Sequence, residues 1–304
     1  MKNKILSPEE LALSDSLIDE IVGALGLPKT KLFHKLFWHL AHGATDRMAA
    51  LGVPFNRIIG EEGFPAACAW GASNFCNPPE VTGKENIPPT GPLLIPVNHP
   101  GAYDGLIAVS QFARKDVMIL TSEIPFFQLM PNTYGHMLFT SRTDVNNRIK
   151  MMRAAIKHLR AGGVLVYIGA GHREPDPAVY EGAGDSIKSW LDIYDTFFKF
   201  VPGLRVMPAL MSGMITEHWA NHPFTKIRRM QRDRQRLAEF CQVIGQLMHP
   251  GRLMVTPKLS FAKPFTEAEL RDGAADTTLL QAVVVKTRQL LDYHCRKFYG
   301  RSAD

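Results

Sequence analysis

From residue 93 onward the chain alternates two textures, and that alternation constrains its fold more than any other feature. Apolar runs of strand length at 93–97, 117–120, 164–168 and 206–210 are separated by helical stretches at 104–113, 145–161 and 187–199. Strands that are apolar throughout, rather than at every second residue, are covered on both faces, as when helices pack on both sides of a largely parallel sheet. The predicted fold is therefore α/β: a mixed, largely parallel sheet flanked by helices. Its clearest helix is 145–161, where Ile149, Met152, Ile156 and Leu159 recur at helical spacing between Asp144, an N-cap residue, and the terminating pair Gly162-Gly163.

The first 75 residues read differently. Pro8-Glu9-Glu10 opens a helix before Leu11, Leu13, Leu17, Ile18 and Ile21, and a second helix is predicted over 31–42. On that helix Leu32, Phe33, Leu36, Phe37 and Leu40 form one apolar face with Lys29, Lys31 and Lys35 around it. Such a face packs on a core or lies in a bilayer interface with its lysines at the head groups. Dense Pro and Gly at 77–79 and 88–92 mark a boundary. The expected organisation is an N-terminal helical region, 1–78, followed by an α/β domain, 79–304.

The chain has 304 residues, and 45% hydrophobic against 21% charged residues suffices for a folded core. Lys and Arg number 35 and Asp and Glu 29, a net charge of +6 that favours anionic partners. That excess is modest and no aromatic-basic motif accompanies it, so nucleic acid is not an expected partner. The four cysteines lack C-x-x-C spacing, which removes a zinc knuckle and a disulfide framework and points to a reducing compartment. The N-terminus carries no secretion signal, since Pro8-Glu9-Glu10 ends its apolar run, and no window holds the ~20 apolar residues of a spanning helix. Membrane contact is expected to be peripheral. The basic run 226–236, six cations against Asp233 with Ile227, Met230, Leu237 and Phe240 as a sparse apolar stripe, reads as a surface helix. It could also meet the phosphates of coenzyme A, an acidic carrier protein or anionic lipid heads.

The segment LLIPVNHPGAYDG, 93–105, concentrates the chemistry. An apolar strand ends in Asn98-His99, a Pro-Gly turn follows, and Asp104 opens a helix. Open α/β sheets bind ligands beyond the carboxyl ends of their strands, where His99 stands. Across this turn the Asp104 carboxylate can fix the imidazole tautomer and stabilise its protonated form, which makes a general base for a hydroxyl. Asp104 could equally be an N-cap and His99 a turn residue, and roughly half an H-x4-D pair arises by chance in such a chain. G-x-S-x-G, G-x-x-x-x-G-K-[ST] and a strand-linked G-x-G-x-x-G are all missing, so serine hydrolase, P-loop and Rossmann readings lack their signatures. A metal site is not expected, because no His or carboxylate spacing offers three or four ligands.

The string GKENIPPTGPLLIPVNHPGAYDG, 83–105, resembles the start of the catalytic domain of the glycerol-3-phosphate and 1-acylglycerol-3-phosphate acyltransferase family, whose first block is N-H-x4-D. GHMLFTSR is similar to its Gly-x-x-x-Phe-x-x-Arg block through Gly135, Phe139 and Arg142. VMPALMSG around Pro208 resembles its apolar strand with an embedded Pro, and KLSFAKPF, 258–265, its next strand. The third block departs from the pattern. Where the family has Phe-Pro-Glu-Gly-Thr-Arg-Ser, this chain has GAGHREPDP: Gly171 and Arg173 match, Ala170 stands in place of the Glu and His172 in place of the Thr. Glu174 is the candidate to compensate. The resemblance covers 80 to about 265.

The resemblance implies acyl transfer from a thioester, acyl-coenzyme A or acyl carrier protein, to the hydroxyl of a glycerol phosphate or lysophospholipid. His99 is implied as general base and Asp104 as its partner, with no bound cofactor and no covalent acyl-enzyme. It implies phosphate contacts from Arg142 and Arg173, whose guanidinium groups offer bidentate donors, and from the backbone near Gly169 and Gly171. Phe139 and Pro208 are implied at the acyl or donor pocket. Backbone N–H groups of the 98–104 turn are the oxyanion candidates. The implied location is cytoplasmic, at the inner face of a membrane. The altered third block leaves open a different acceptor, such as an amino-lipid or another lyso-lipid, and a lipid-binding protein without catalysis is the rival from another class.

Overall fold

The computed structural model describes residues 6–24, 28, 30–141, 143–272 and 277–303. Two long helices lead the chain, α1 (Pro8–Ala24) and α2 (Lys31–Glu61), followed by α3 (Phe64–Ser73). α1 and α2 form an antiparallel hairpin: Ser14 Oγ donates to Thr45 Oγ1 and Asp46 Oδ1, and Gly52 lies against Leu13. The second helix is much longer than the 31–42 that its apolar stripe predicts. It runs through Pro54, because the residues around that proline pack on the sheet domain and tertiary burial outweighs one lost helical hydrogen bond. On its first turns Leu32 and Leu36 are exposed rather than packed on a core.

Next come β1 (Glu80–Thr82), β2 (Leu93–Val97), α4 (Asp104–Val109), β3 (Val117–Ser122), α5 (Pro125–Gln128), β4 (Met137–Thr140), α6 (Val145–Arg160) and β5 (Val164–Ile168). The second half holds α7 (Ala183–Ile187), α8 (Tyr194–Phe200), β6 (Arg205–Val206), β7 (Ala209–Ser212), α9 (Glu217–Ala220), α10 (Gln231–Met248), β8 (Lys258–Phe261), α11 (Glu267–Arg271) and α12 (Leu279–Tyr299). Among the described residues these strands form one sheet in the order β1-β8-β7-β2-β5-β3-β4, with β6 also beside β2. All its pairings are parallel except β7 with β8. The mixed, largely parallel sheet flanked by helices is thus the architecture of this chain.

β2 sits in the middle, and every one of its residues is buried. Leu93, Ile95 and Val97 face a core shared with α2, α3, α4 and α10, and Leu94 faces the opposite core under α6, α8 and α12. Pro96 is tolerated at this central position for a reason visible in the ladder. Leu93 and Val97 bond toward β5, whereas Leu94 bonds toward Met207, so the even-numbered residues face the neighbouring strand that Met207-Pro208 interrupts between β6 and β7. The N–H that Pro96 lacks would point toward this break in the strand pairing, between the Leu94–Val206 and Val97–Ala209 register pairs. Asp144 caps α6 by accepting from Asn146 and Asn147 N–H, and Gly162, at φ +89°, turns the chain out of it. The single helix predicted over 187–199 is instead two, α7 and α8, because the turn between them folds Trp190 inward. Among the described residues no helix is long and apolar enough to cross a membrane.

Candidate active site

The carboxyl end of β2 leads through Asn98 to His99, which lines a cavity of about 650 Å³. Asn98 is buried and bridges to β7: its Nδ2 donates to Met211 O at 2.9 Å, and Met211 N donates to its Oδ1 at 2.7 Å. This side-chain amide replaces ladder hydrogen bonds at the point where β2 stops. The turn then reverses through Pro100 and Gly101 into α4, whose first residue is Asp104.

Asp104 is 2% exposed, and its Oδ2 lies 2.8 Å from His99 Nδ1. The same carboxylate accepts from Gly101 N at 3.1 Å and Gly105 N at 2.6 Å, so its position is set from three directions. A carboxylate beside Nδ1 fixes that nitrogen as the N–H donor and leaves Nε2 as the lone-pair nitrogen. His99 and Asp104 both line the cavity. The turn's N–H groups at His99 and Gly101 are both directed at carboxylates, which removes two of the expected oxyanion candidates.

The loop after β5 supplies the other half of the site. Gly171 has φ +65°, a left-handed conformation that favours glycine. A Cβ at Gly169 would meet the Trp190 ring at 2.3 Å, so only glycine allows this approach. Beyond them Glu174 is buried and holds His99 by its backbone: His99 N donates to Glu174 Oε2 at 3.1 Å, and Glu174 N donates to His99 O at 2.9 Å. Its Oε1 accepts from Ser186 Oγ at 2.9 Å and Trp190 Nε1 at 2.8 Å. Burial pushes the Glu174 carboxyl up to about 7, against the opposing pull of these hydrogen bonds. The carboxylate missing at Ala170 therefore has a counterpart four residues later, bound to the backbone of the histidine.

Of the residues expected at the site, His99, Asp104, Gly171 and Arg173 line one cavity. Arg173 stands in an ion pair, Nη1 to Glu239 Oε1 at 2.6 Å, and burial raises the Glu239 carboxyl while Arg173 opposes that rise. Phe139 and Pro208 are buried in the sheet layer, and neither is brought to the cavity wall. Pro208 lies in the interruption between β6 and β7, where its carbonyl accepts from Ala262 N. Arg142 lies outside the described residues.

The cavity lining has two chemically distinct components. Phe64, Ile119, Ile124, Phe127 and Met137 form its apolar lining, while Arg148, Arg173, Arg232 and Arg236 form its cationic lining. The last two come from α10, within the basic run that reads as a surface helix. Their i, i+4 spacing puts them on one helix face, a signal present in the sequence, but nothing local says that this face meets the cavity. Gln235 between them is buried and donates through Nε2 to Pro100 O at 3.0 Å and Glu174 O at 2.7 Å. The first turn of α10 is thereby fastened to both loops that hold His99. Among the described residues no group of three or more His, Cys, Asp or Glu side chains is placed to hold a metal ion.

The central strand of the sheet thus ends in a His–Asp pair on the wall of a cavity lined by apolar and cationic side chains, an arrangement that can set a general base beside an anionic, partly apolar molecule. Residues 78–212, which contain this pair and both loops around it, match the model of the Acyltransferase family. Among solved structures, the 1-acyl-sn-glycerophosphate (LPA) acyltransferase PlsC of Thermotoga maritima is similar at 18% identity and a TM-score of 0.40, over 97% of this chain and 100% of that one. No curated protein matches the sequence.

Proposed function

We propose that this acyltransferase moves a fatty acyl group from an acyl thioester to the hydroxyl of a glycerol phosphate or lysophospholipid. The observation that carries the reading is the 2.8 Å contact of Asp104 with His99 Nδ1, at a strand end that opens on the cavity. His99 Nε2 takes the proton of the acceptor hydroxyl as its oxygen attacks the thioester carbonyl carbon. The tetrahedral intermediate collapses with cleavage of the C–S bond, and the imidazolium returns the proton to the leaving thiolate. Asp104 stabilises the imidazolium and keeps its tautomer. Neither a cofactor nor a covalent acyl-enzyme is required.

The apolar lining of the cavity suits an acyl chain, and the cationic lining suits a phosphate. Arg173 contributes there from within its pair with Glu239, and Arg232 and Arg236 add charge that the family blocks do not include. The donor is acyl-coenzyme A or acyl carrier protein. In this reading 79–304 carry the chemistry, and the helical region 1–78 lends apolar and basic surface, Leu32, Leu36 and Trp38 beside Lys31 and Lys35, for peripheral contact with the cytoplasmic face of a membrane.

The test is thiol release from acyl-coenzyme A, with acyl carrier protein as a second donor, across glycerol-3-phosphate, lysophosphatidic acid and neutral or zwitterionic lyso-lipids. Release that requires a phosphate-bearing acceptor and falls about 10²–10⁴-fold in His99→Ala is the expected result. Release with non-phosphate acceptors alone would move the reading to another acceptor, and unchanged release in folded His99→Ala would remove its basis.

A further inference from the structure

Between α9 and α10 the chain makes a single 3-10 turn, Pro223–Ile227, and approaches α10 through Arg228, Arg229 and Met230. This short segment presents large apolar side chains to solvent: Phe224 is 50% exposed, Ile227 63% and Met230 66%. Lys226, Arg228 and Arg229 alternate with them and are exposed as well, and the seven residues 224–230 contain no acid.

Local structure holds the segment in place. Thr225, in its middle, is fully buried, and its Oγ1 donates to His222 O at 2.7 Å. The His222 side chain accepts from Phe224 N, Arg228 N donates to Thr225 O, and Arg234 Nε donates to Arg228 O at 2.7 Å. With Thr225 fixed inward, the flanking Phe224, Lys226 and Ile227 are held outward. Met230 then adjoins the start of α10, which brings Arg232 and Arg236 to the cavity wall and fastens Pro100 through Gln235. The exposed segment is thus continuous with the cavity rim.

We propose that residues 224–230 are a bilayer-docking edge, which inserts Phe224, Ile227 and Met230 among lipid chains and sets Lys226, Arg228 and Arg229 against anionic head groups. Three apolar side chains held apart by three cations form a surface for an interface that is apolar in depth and negative at its rim. An acidic protein such as a carrier protein would use the cations but leave three large apolar tips without a matching depth. Docking here places the cationic lining of the cavity at the height of lipid phosphates, the route for an acceptor that resides in the membrane. The inference rests on the proposed acyl transfer for the identity of that acceptor, and on the exposed segment alone for membrane binding.

Two variants of the full chain test it, Phe224→Ser/Ile227→Ser/Met230→Ser and Lys226→Ala/Arg228→Ala/Arg229→Ala, each with thermal unfolding to verify the fold. Co-sedimentation uses vesicles of phosphatidylcholine alone and of phosphatidylcholine with phosphatidylglycerol. The wild type is expected to prefer the anionic vesicles, and each variant to lose roughly tenfold or more of that partition, since each apolar tip and each basic residue contributes several-fold. Thiol release with a water-soluble short-chain acceptor should stay at the wild-type rate, while release with a vesicle-embedded acceptor falls. Wild-type partition in both variants, or no vesicle binding by the wild type, overturns the proposal. So does capture of acyl carrier protein that both variants lose while vesicle binding persists. If no acceptor supports thiol release but the partition behaves as described, the docking edge stands and the acyl-transfer reading fails, so the two failures are separable.

Discussion

The two loops that hold His99 work in opposite ways. The loop after β2 is short and self-contained: Asp104 reaches the imidazole from five residues away, and two N–H groups of the same turn fix its carboxylate. The loop after β5 acts at a distance, through Glu174, which touches only the backbone of His99 and depends on Ser186, Trp190 and a glycine with room for an indole. One loop sets the chemistry of the ring and the other sets where the ring stands. They should therefore fail differently when altered.

Asp104→Asn is the sharpest way to break the comparison. An amide can donate toward Nδ1 and stabilise the wrong tautomer, so kcat should fall by about 10³–10⁴-fold with little change in thermal stability. If stability collapses instead, Asp104 is chiefly a structural anchor of its turn and the division of labour is wrong.

Glu174 should show its effect in stability against pH. Its carboxyl rises from 4.5 to about 7 in the folded protein through burial, so between those values the native state binds a proton that the unfolded state has released. Stability is then favoured at low pH and lost as pH climbs toward 7, by up to about 3 kcal/mol. Denaturant midpoints at mildly acidic and neutral pH should reveal this slope in the wild type, and Glu174→Gln, which has no proton to lose, should flatten it. An unchanged slope in the variant would assign the titration to another group.

The smallest effect belongs to the clasp between the loops. Gln235→Ala removes two hydrogen bonds to Pro100 O and Glu174 O and leaves buried carbonyls without that donor, a cost of about 1–3 kcal/mol by thermal unfolding. Activity should fall only several-fold, since His99 and Asp104 keep their own contacts. A loss as large as that of Asp104→Asn would mean that α10 positions the catalytic ring directly.

The same contrast explains what was legible in the sequence. The strand, turn and helix from 93 to 109 could be read because every determinant is local: an apolar run, a Pro-Gly reversal and a carboxylate at the helix start. The cap at Asp144 and the exit at Gly162 were legible for the same reason. Glu174 was visible only as a residue near a defective motif, because its hold on His99 depends on how 169–173 turn back toward β2. Arg232 and Arg236 carried the right spacing, yet the cavity they line is built mostly from residues far earlier in the chain. Length differs in α2, where the apolar stripe indicates a helix over 31–42 and packing on the sheet domain carries it on through Pro54 to Glu61. Phe139 and Pro208 were placed by motif position alone, and the side-chain layers of a twisted sheet are not encoded in motif position.

The seam between β2 and its interrupted neighbour carries one more consequence. Pro96 offers no amide proton to it, and the His99 end of β2 is joined to β7 by the single register pair Val97–Ala209 and by the carboxamide of Asn98. Backbone ladders are indifferent to which side chains they carry; a carboxamide joint is not. Part of the spacing between His99 and the far half of the sheet is thus set by one side chain, which makes Asn98 a place where this scaffold can be loosened or reset without unravelling any strand.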